Sequence, residues 1–300
     1  MSIPYLGLAL GGGGARGAAH IGVLQVLHDA GVEIERIAGT SAGSLVGAMY
    51  AATLDPYWIE NRFREFLKHD SFKLFSSGKL LDGRNPETML DKVTKKIQEH
   101  FMVVLGLNRS YVIRREVLEK ALEFLLPAKT FLELQVPLKV MVTDIQNGRD
   151  HIHQNGDLHE AVIRSSSIPG FFEPTYDNGS IFVDGGVTTS IPVSVLKDEC
   201  KLVLAVDVTN YKFDPLENPN MIEIIKRADI ISSLKLKDRM AKDADILIQP
   251  DVLGLHWSEF GKFDDLIENG RKAASESLDL LLERIQRDNN VLYQLKQWLG

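Results

Sequence analysis

Cysteine is nearly missing from this chain. Cys200 is the only one in 300 residues, so no disulfide can form within the chain and a stapled, secreted small fold is not expected. It reads as a plain thiol. Long apolar runs are missing too. A membrane-spanning helix needs roughly 20 apolar residues, and the strongest candidate, Phe101-Met102-Val103-Val104-Leu105-Gly106-Leu107, falls far short. No basic segment precedes the short apolar run near Met1, so nothing reads as a signal peptide. Positive charge is in deficit: 34 Lys and Arg against 41 Asp and Glu give a net charge of −7. That balance argues against a sequence-independent grip on nucleic acid and against a general attraction to anionic membranes. The expectation is a cytoplasmic protein, with transient peripheral contact at a membrane left open.

What remains is ordinary for a globular fold: 44% hydrophobic and 25% charged residues in one large α/β domain or two small ones. Apolar runs alternate with helical patterns. Tyr5–Leu10 reads as a strand, Gly11–Gly14 as a turn and Ala18–Ala30 as a helix with Ile21, Leu24 and Leu27 on one face. Ile34–Ala38 is a second strand and Ser44–Ala52 a second helix. Further strands are expected at Leu138–Thr143, His151–Gln154, Ile181–Val183 and Leu202–Val206. Strands separated by helices imply an α/β sheet, largely parallel in its early part. Residues 55–135 look like a helical insertion that covers the sheet, and residues 212–220 like a linker. Residues 1–211 are therefore expected to form the main domain, and 212–300 a mainly helical extension on the same core, with a helix over Phe263–Ile285.

Two glycine-rich turns carry chemistry. Gly39-Thr40-Ser41-Ala42-Gly43 matches G-x-S-x-G between a strand and a helix, the setting in which a serine is presented as a nucleophile. Gly39, Ala42 and Gly43 supply the lack of bulk that a sharp turn needs, and the helix start offers free N–H groups to developing negative charge. The bland alternative is a serine N-cap. Gly11-Gly12-Gly13-Gly14-Ala15-Arg16-Gly17 ends the first strand. Its G-x-G-x-x-G spacing (Gly12, Gly14, Gly17), with Glu33 or Glu35 further on, also fits a dinucleotide-binding loop. Those acids lie before or within the second strand rather than at its end, where the serine turn sits instead. Beside Ser41, the same glycines can point amides at an oxyanion, with Arg16 bonding the loop's carbonyls.

A serine nucleophile needs a base. His256 is the only histidine after Asp184 and has no strand of its own. His20 reads as a helix-face residue. His151 and His153 read as a solvated pair, since no cysteine or acid has metal-ligand spacing to match. Carboxylates at strand ends remain: Asp144, Asp184 and Asp207. Asp184, followed by Gly185-Gly186, is favoured. It must then touch Ser41, 143 positions away.

These blocks, GGGGARG, GTSAG and Asp184-Gly185-Gly186 in that order, resemble the signatures of patatin-like phospholipases, in the bacterial branch related to neuropathy target esterase. Ser165-Ser166-Ser167-Ile168-Pro169-Gly170-Phe171-Phe172-Glu173-Pro174 and Ala244–Pro250 fit the same pattern, and the resemblance covers about residues 5 to 285. It implies a three-layer sandwich with a central, mostly parallel sheet between helices. It also implies a Ser41–Asp184 dyad, an oxyanion loop containing Gly12, Gly13, Gly14, Arg16 and Gly17, and acyl esters of lipids as substrate, with no metal and no cofactor. Thr188-Thr189-Ser190-Ile191-Pro192 departs from relatives that carry an asparagine before the proline. The cyclic-nucleotide-binding domain of some relatives has no counterpart in this sequence, so regulation of that kind is not expected. An idle lipid-binding protein of the same fold stays open. Phe101–Leu107, followed by Arg109, Arg114 and Arg115, reads as a buried helix segment with solvated arginines, with a membrane-facing lid as the alternative.

Overall fold

The computed structural model describes residues 5–70, 72, 110–209, 213 and 215–299. Eight strands form one sheet: β1 (Leu6–Leu10), β2 (Arg36–Thr40), β3 (Leu138–Asp144), β4 (Arg149–His153), β5 (Thr175–Asp177), β6 (Ser180–Asp184), β7 (Leu202–Val206) and β8 (Ile246–Ile248). Their order is β5-β6-β3-β2-β1-β7-β8, with β4 paired to β3. The β8, β7, β1, β2 and β3 block is parallel throughout, while β4 and β6 run antiparallel to β3, and β5 to β6.

The central strands are buried on both faces, so β1 (LGLAL) and β7 (LVLAV) read as continuous apolar runs rather than alternating ones. Side chains still alternate between two cores. Leu6, Leu8 and Leu10 enter the larger core with Ile21, Leu24 and Leu27 of α1 (Ala18–Asp29) and Val46 and Met49 of α2 (Ala42–Thr53). Ala9 and Ala205 face a smaller core closed by Ile191, Val193 and Leu196.

Around this lie α3 (Pro56–Lys68), α4 (Arg115–Leu125), α5 (Leu158–Ser166), the single turn α6 (Ser194–Lys197), α7 (Met221–Ala241) and α8 (Phe263–Leu299). Helix α3 starts cleanly because Asp55 accepts from the Tyr57 and Trp58 amides and Pro56 fills the first turn. Helix α8 lies directly on α1. A Cβ on Gly22 would fall 2.0 Å from the Ile267 carbonyl oxygen, and one on Gly270 would fall 2.1 Å from that of Ala19, so the two backbones touch through reciprocal glycines. Residues after 211 thus contribute a strand to the sheet and a helix to its main face.

Elsewhere local expectations shift. β2 begins and ends two residues later than the apolar run suggests, because Gly39 and Thr40 still pair with Val140 and Met141 before the turn begins. The short strands β5 and β8 have no counterpart among the expected strands. Phe101–Leu107 and Arg109 lie outside the described residues. Arg115 is not solvated: it is bonded to Glu119 and Glu160. The His151 and His153 rings meet each other and Phe182 at tilted or edge-on angles, and His153 is half-buried rather than solvated.

Candidate active site

Strand β3 explains how residues 41 and 184 meet. Its first rungs pair with β2, as far as Thr40 opposite Met141. β4 runs along its other edge from Val140 to Asp144. β6 pairs with Val142, Thr143 and Asp144 while β4 already holds their opposite edge, so β6 must lie on the same edge as β2. It runs in the contrary direction, with Asp184 opposite Val142. The two strands therefore approach each other tip to tip on consecutive rungs of β3, one delivering Ser41 and the other Asp184.

Both residues are 6% exposed, and the Ser41 side chain lies near enough to the Asp184 carboxyl to favour its charged form. Asp184 Oδ1 accepts from the Gly186 amide at 2.7 Å. Burial pushes this carboxyl up from 3.8 to about 6, against the opposing pull of the Ser41 side chain and the Gly186 amide. Among the described residues no imidazole joins the pair. His256 is exposed, with Nδ1 at 2.8 Å from the Ser258 hydroxyl. The other two strand-end carboxylates are engaged structurally. Asp144 is wrapped by the Gln146 and Asn147 amides and the Asn147 side chain, and is held down to about 2 chiefly by that side chain. Asp207 forms a buried ion pair with Lys237 of α7 at 2.7 Å and also accepts from Gln249 at 3.1 Å.

Ser41 sits in a strained corner, with φ 54° and ψ −123°. For a residue with a Cβ this conformation is costly and persists only where the surroundings enforce it. Gly39 and Gly43 permit the corner: a Cβ on the first would fall 2.5 Å from Ser44 Cα, and on the second 2.2 Å from the Leu10 carbonyl oxygen. The Ser44 hydroxyl donates to the Ser41 carbonyl at 2.6 Å. The Ser41 amide donates to Ser165 Oγ at 2.9 Å, and that hydroxyl in turn donates to the Met141 carbonyl at 2.6 Å. Ser165 therefore ties the serine corner to the β3 rung beside Asp184, whose own amide donates to the Ser167 carbonyl at 2.9 Å.

The glycine loop lies against this pair. A Cβ on Gly12 would come within 3.4 Å of the Ser41 Cβ, and one on Gly17 within 2.6 Å of the Ala42 Cβ. Gly14 takes φ +57°, which favours glycine, and a Cβ there would strike the Trp257 carbonyl oxygen at 2.4 Å. The Gly12 amide is used by the Ser190 carbonyl and the Ala15 amide by the Trp257 carbonyl. Among the described residues no acceptor meets the Gly13 or Gly14 amide. Arg16 bonds the loop itself, donating from Nε to the Gly13 carbonyl at 3.1 Å.

Three contributors carry no clear mark in the sequence: Ser165, Trp257 and His20. His20 is fully buried and held neutral, its value lowered to about 4 by burial. Its Nε2 donates to the Gly11 carbonyl at 2.8 Å, fixing the start of the glycine loop from below. A histidine three residues after Arg-Gly, on the inward face of α1, was the available signal. Ser165 falls in the Ser165–Pro174 block that fits the family pattern, but its role, like that of Trp257, is to bond distant backbone atoms, which no local spacing marks. No group of three or more His, Cys, Asp or Glu that could hold a metal ion occurs among the described residues. No described helix is long and apolar enough to cross a membrane. Cys200 is buried, with its thiol pushed up to about 11.

Fold and site together define an α/β protein that carries a buried serine–carboxylate pair at the carboxyl edge of its sheet, beside a loop of glycine amides. The chain belongs to the patatin-like phospholipase family, whose sequence profile matches residues 8–197. It is 25% identical to lysophospholipase NTE1 of Kluyveromyces lactis over 93% of this chain and 19% of that protein. It is 28% identical to human patatin-like phospholipase domain-containing protein 6 over 88% of this chain and 20% of that one. The chain thus spans about a fifth of the length of these relatives. Among solved structures, VipD from Legionella pneumophila aligns with 93% of this chain and 67% of its own, at TM-score 0.48 and 17% identity. Human GIVD cytosolic phospholipase A2 aligns with 95% of this chain and 59% of its own, at TM-score 0.47 and 12% identity.

Proposed function

We propose that this protein hydrolyses acyl esters of lipids, of the phospholipid or lysophospholipid class, with Ser41 as nucleophile and Asp184 as base. The observation that carries the proposal is the approach of these two buried side chains on consecutive rungs of β3. Ser41 Oγ adds to the ester carbonyl carbon as its proton passes to Asp184. The carbonyl oxygen becomes an oxyanion facing the Gly13 and Gly14 amides and the start of α2, where free N–H groups and the helix dipole stabilise negative charge. The C–O bond to the alcohol then breaks, and the proton on Asp184 goes to the departing oxygen. Water adds to the acyl-enzyme, giving its proton to Asp184. Release of the fatty acid returns that proton to Ser41.

A carboxyl raised to about 6 suits this role better than an ordinary aspartate. It is charged at neutral pH yet closer in basicity to the groups it must deprotonate and reprotonate. The place of the pair at the carboxyl edge of a parallel sheet is also where open α/β sheets bind ligands. Lipid substrates are inferred from the family and from the names of the relatives. The protein is expected to act without a metal or cofactor, in the cytoplasm, with transient contact at a membrane surface left open.

The test is labelling by a fluorophosphonate with peptide mapping, followed by a panel of phospholipids, lysophospholipids and short-chain esters. Wild type should be labelled at Ser41 and turn over at least one lipid class. Ser41→Ala should lose both. Undiminished turnover in Ser41→Ala would overturn the proposal.

A further inference from the structure

Helix α7 turns much of its apolar surface outward. Met221 is 73%, Ile225 59% and Ile224 53% exposed, and Ile231 is exposed as well. With Ala228 between them, the spacing places these residues on one stripe of the helix. The opposite face carries the two buried residues of α7, Lys237 and Ala241. The helix is deliberately started: Asn220 accepts from the Ile222 and Glu223 amides, and Glu223 reaches back to the Asn220 amide.

Its position follows from its anchors. Lys237 bonds Asp207, just past the carboxyl end of β7, and Ala241 packs into the smaller core beside Val203 and Ala205. The chain then enters β8 at the level of Val203, whose carbonyl accepts from the Asp245 amide. From Lys237 onward α7 therefore descends alongside the sheet. The residues before Lys237 lead away from this anchor beside Asp207 over a helix length of about 24 Å at 1.5 Å per residue. The carboxyl edge of the sheet bears Ser41, Asp184 and the glycine loop.

We infer that the outward stripe Met221, Ile224, Ile225 and Ile231 docks on an anionic lipid surface, and so presents the catalytic edge to membrane-embedded substrate. This rests on the lipid-ester reading above. Charge supports a lipid occupant. Exposed Lys235 and Arg239 lie on the same side of the helix as the stripe, and exposed Lys226 on the side of Lys237. Two of its three carboxylates are turned elsewhere, Glu223 to the helix start and Asp238 to Lys237 at 3.5 Å. A large apolar patch edged by cations suits insertion below anionic headgroups. In a two-fold contact between copies, the same cations would face their own counterparts.

The test uses full-length Ser41→Ala, so that vesicles stay intact. It should sediment with vesicles of phosphatidylcholine and phosphatidylserine more than with phosphatidylcholine alone. Adding Ile224→Glu and Ile225→Glu should weaken binding by about tenfold or more, while Ile224→Leu with Ile225→Leu retains it. On the active chain, the glutamate pair should reduce hydrolysis of vesicle phospholipid and leave turnover of a monomeric short-chain ester unchanged. Equal vesicle binding by the glutamate variant would overturn the inference. So would a wild-type dimer that binds no vesicles and is split by the same changes. Vesicle binding with no ester turnover in wild type would instead count against the hydrolase reading alone.

Discussion

Replacing Asp184 by asparagine separates what this carboxylate does for chemistry from what it costs the fold. The carboxyl is raised from 3.8 to about 6 in the folded chain, chiefly by burial. A group raised in this way favours folding while protonated. Its contribution is complete below the unfolded value and is lost as pH rises through the folded value. A tenfold change in acidity corresponds to about 1.4 kcal/mol, so by about pH 8 the wild type carries roughly 3 kcal/mol of cost that an uncharged side chain avoids. The asparagine variant keeps an oxygen for the Gly186 amide, and whatever fixed offset its NH₂ group introduces does not vary with pH. The informative quantity is thus the difference in Tm between Asp184→Asn and wild type. Between about pH 4 and about pH 8 that difference should move in favour of the variant by about 2–3 kcal/mol, or about 4 °C for a chain of this size. Hydrolysis by the variant should be lost throughout. In wild type, kcat/KM on a monomeric ester should fall about tenfold for each pH unit below about pH 6, as the base becomes protonated. Differential scanning calorimetry across that range supplies the stability arm. A Tm difference that stays flat with pH would refute the assignment of a costly buried charge to Asp184.

Other perturbations have separate readouts. Ser165→Ala strips a partner from both the Ser41 amide and the Met141 carbonyl and should cost about 1–3 kcal/mol in denaturant unfolding, with kcat falling more than KM changes. Lys237→Met leaves Asp207 buried and unpaired and should cost about 3–5 kcal/mol, while Lys237→Met with Asp207→Leu should recover most of that; urea unfolding of both variants checks it. His20→Leu removes the donor that holds the Gly11 carbonyl and should slow fluorophosphonate labelling of Ser41, with His20→Gln partly restoring the rate.

Much of this architecture is legible in the chain itself. The central strands announce themselves because burial on both faces demands unbroken apolar runs, as in β1 and β7. The serine corner is equally visible, since its geometry requires small residues at fixed positions around Ser41. Residue patterns stop being informative where structure depends on pairing between distant segments. The end of β2 was hidden because Gly39 and Thr40 look like a turn, yet they still bond to β3. β5 and β8 span three residues each, too few for any period to show. Asp184 could be singled out by its glycines and by family resemblance, but the reason it reaches Ser41 lies in β3, which no local pattern reveals. Ser165 and Trp257 grip carbonyls and amides, and main-chain partners leave no trace in side-chain spacing.

The head-on approach of β2 and β6 along one edge of β3 also makes reactivity a readout of correct assembly. A slip of β6 by one residue would turn Asp184 to the opposite face of the sheet and leave the serine without its partner. Intermediates in which this late-arriving strand is unplaced or misplaced should therefore be inert towards esters. On the hydrolase reading proposed above, ester cleavage would begin only once the sheet has closed in its native register.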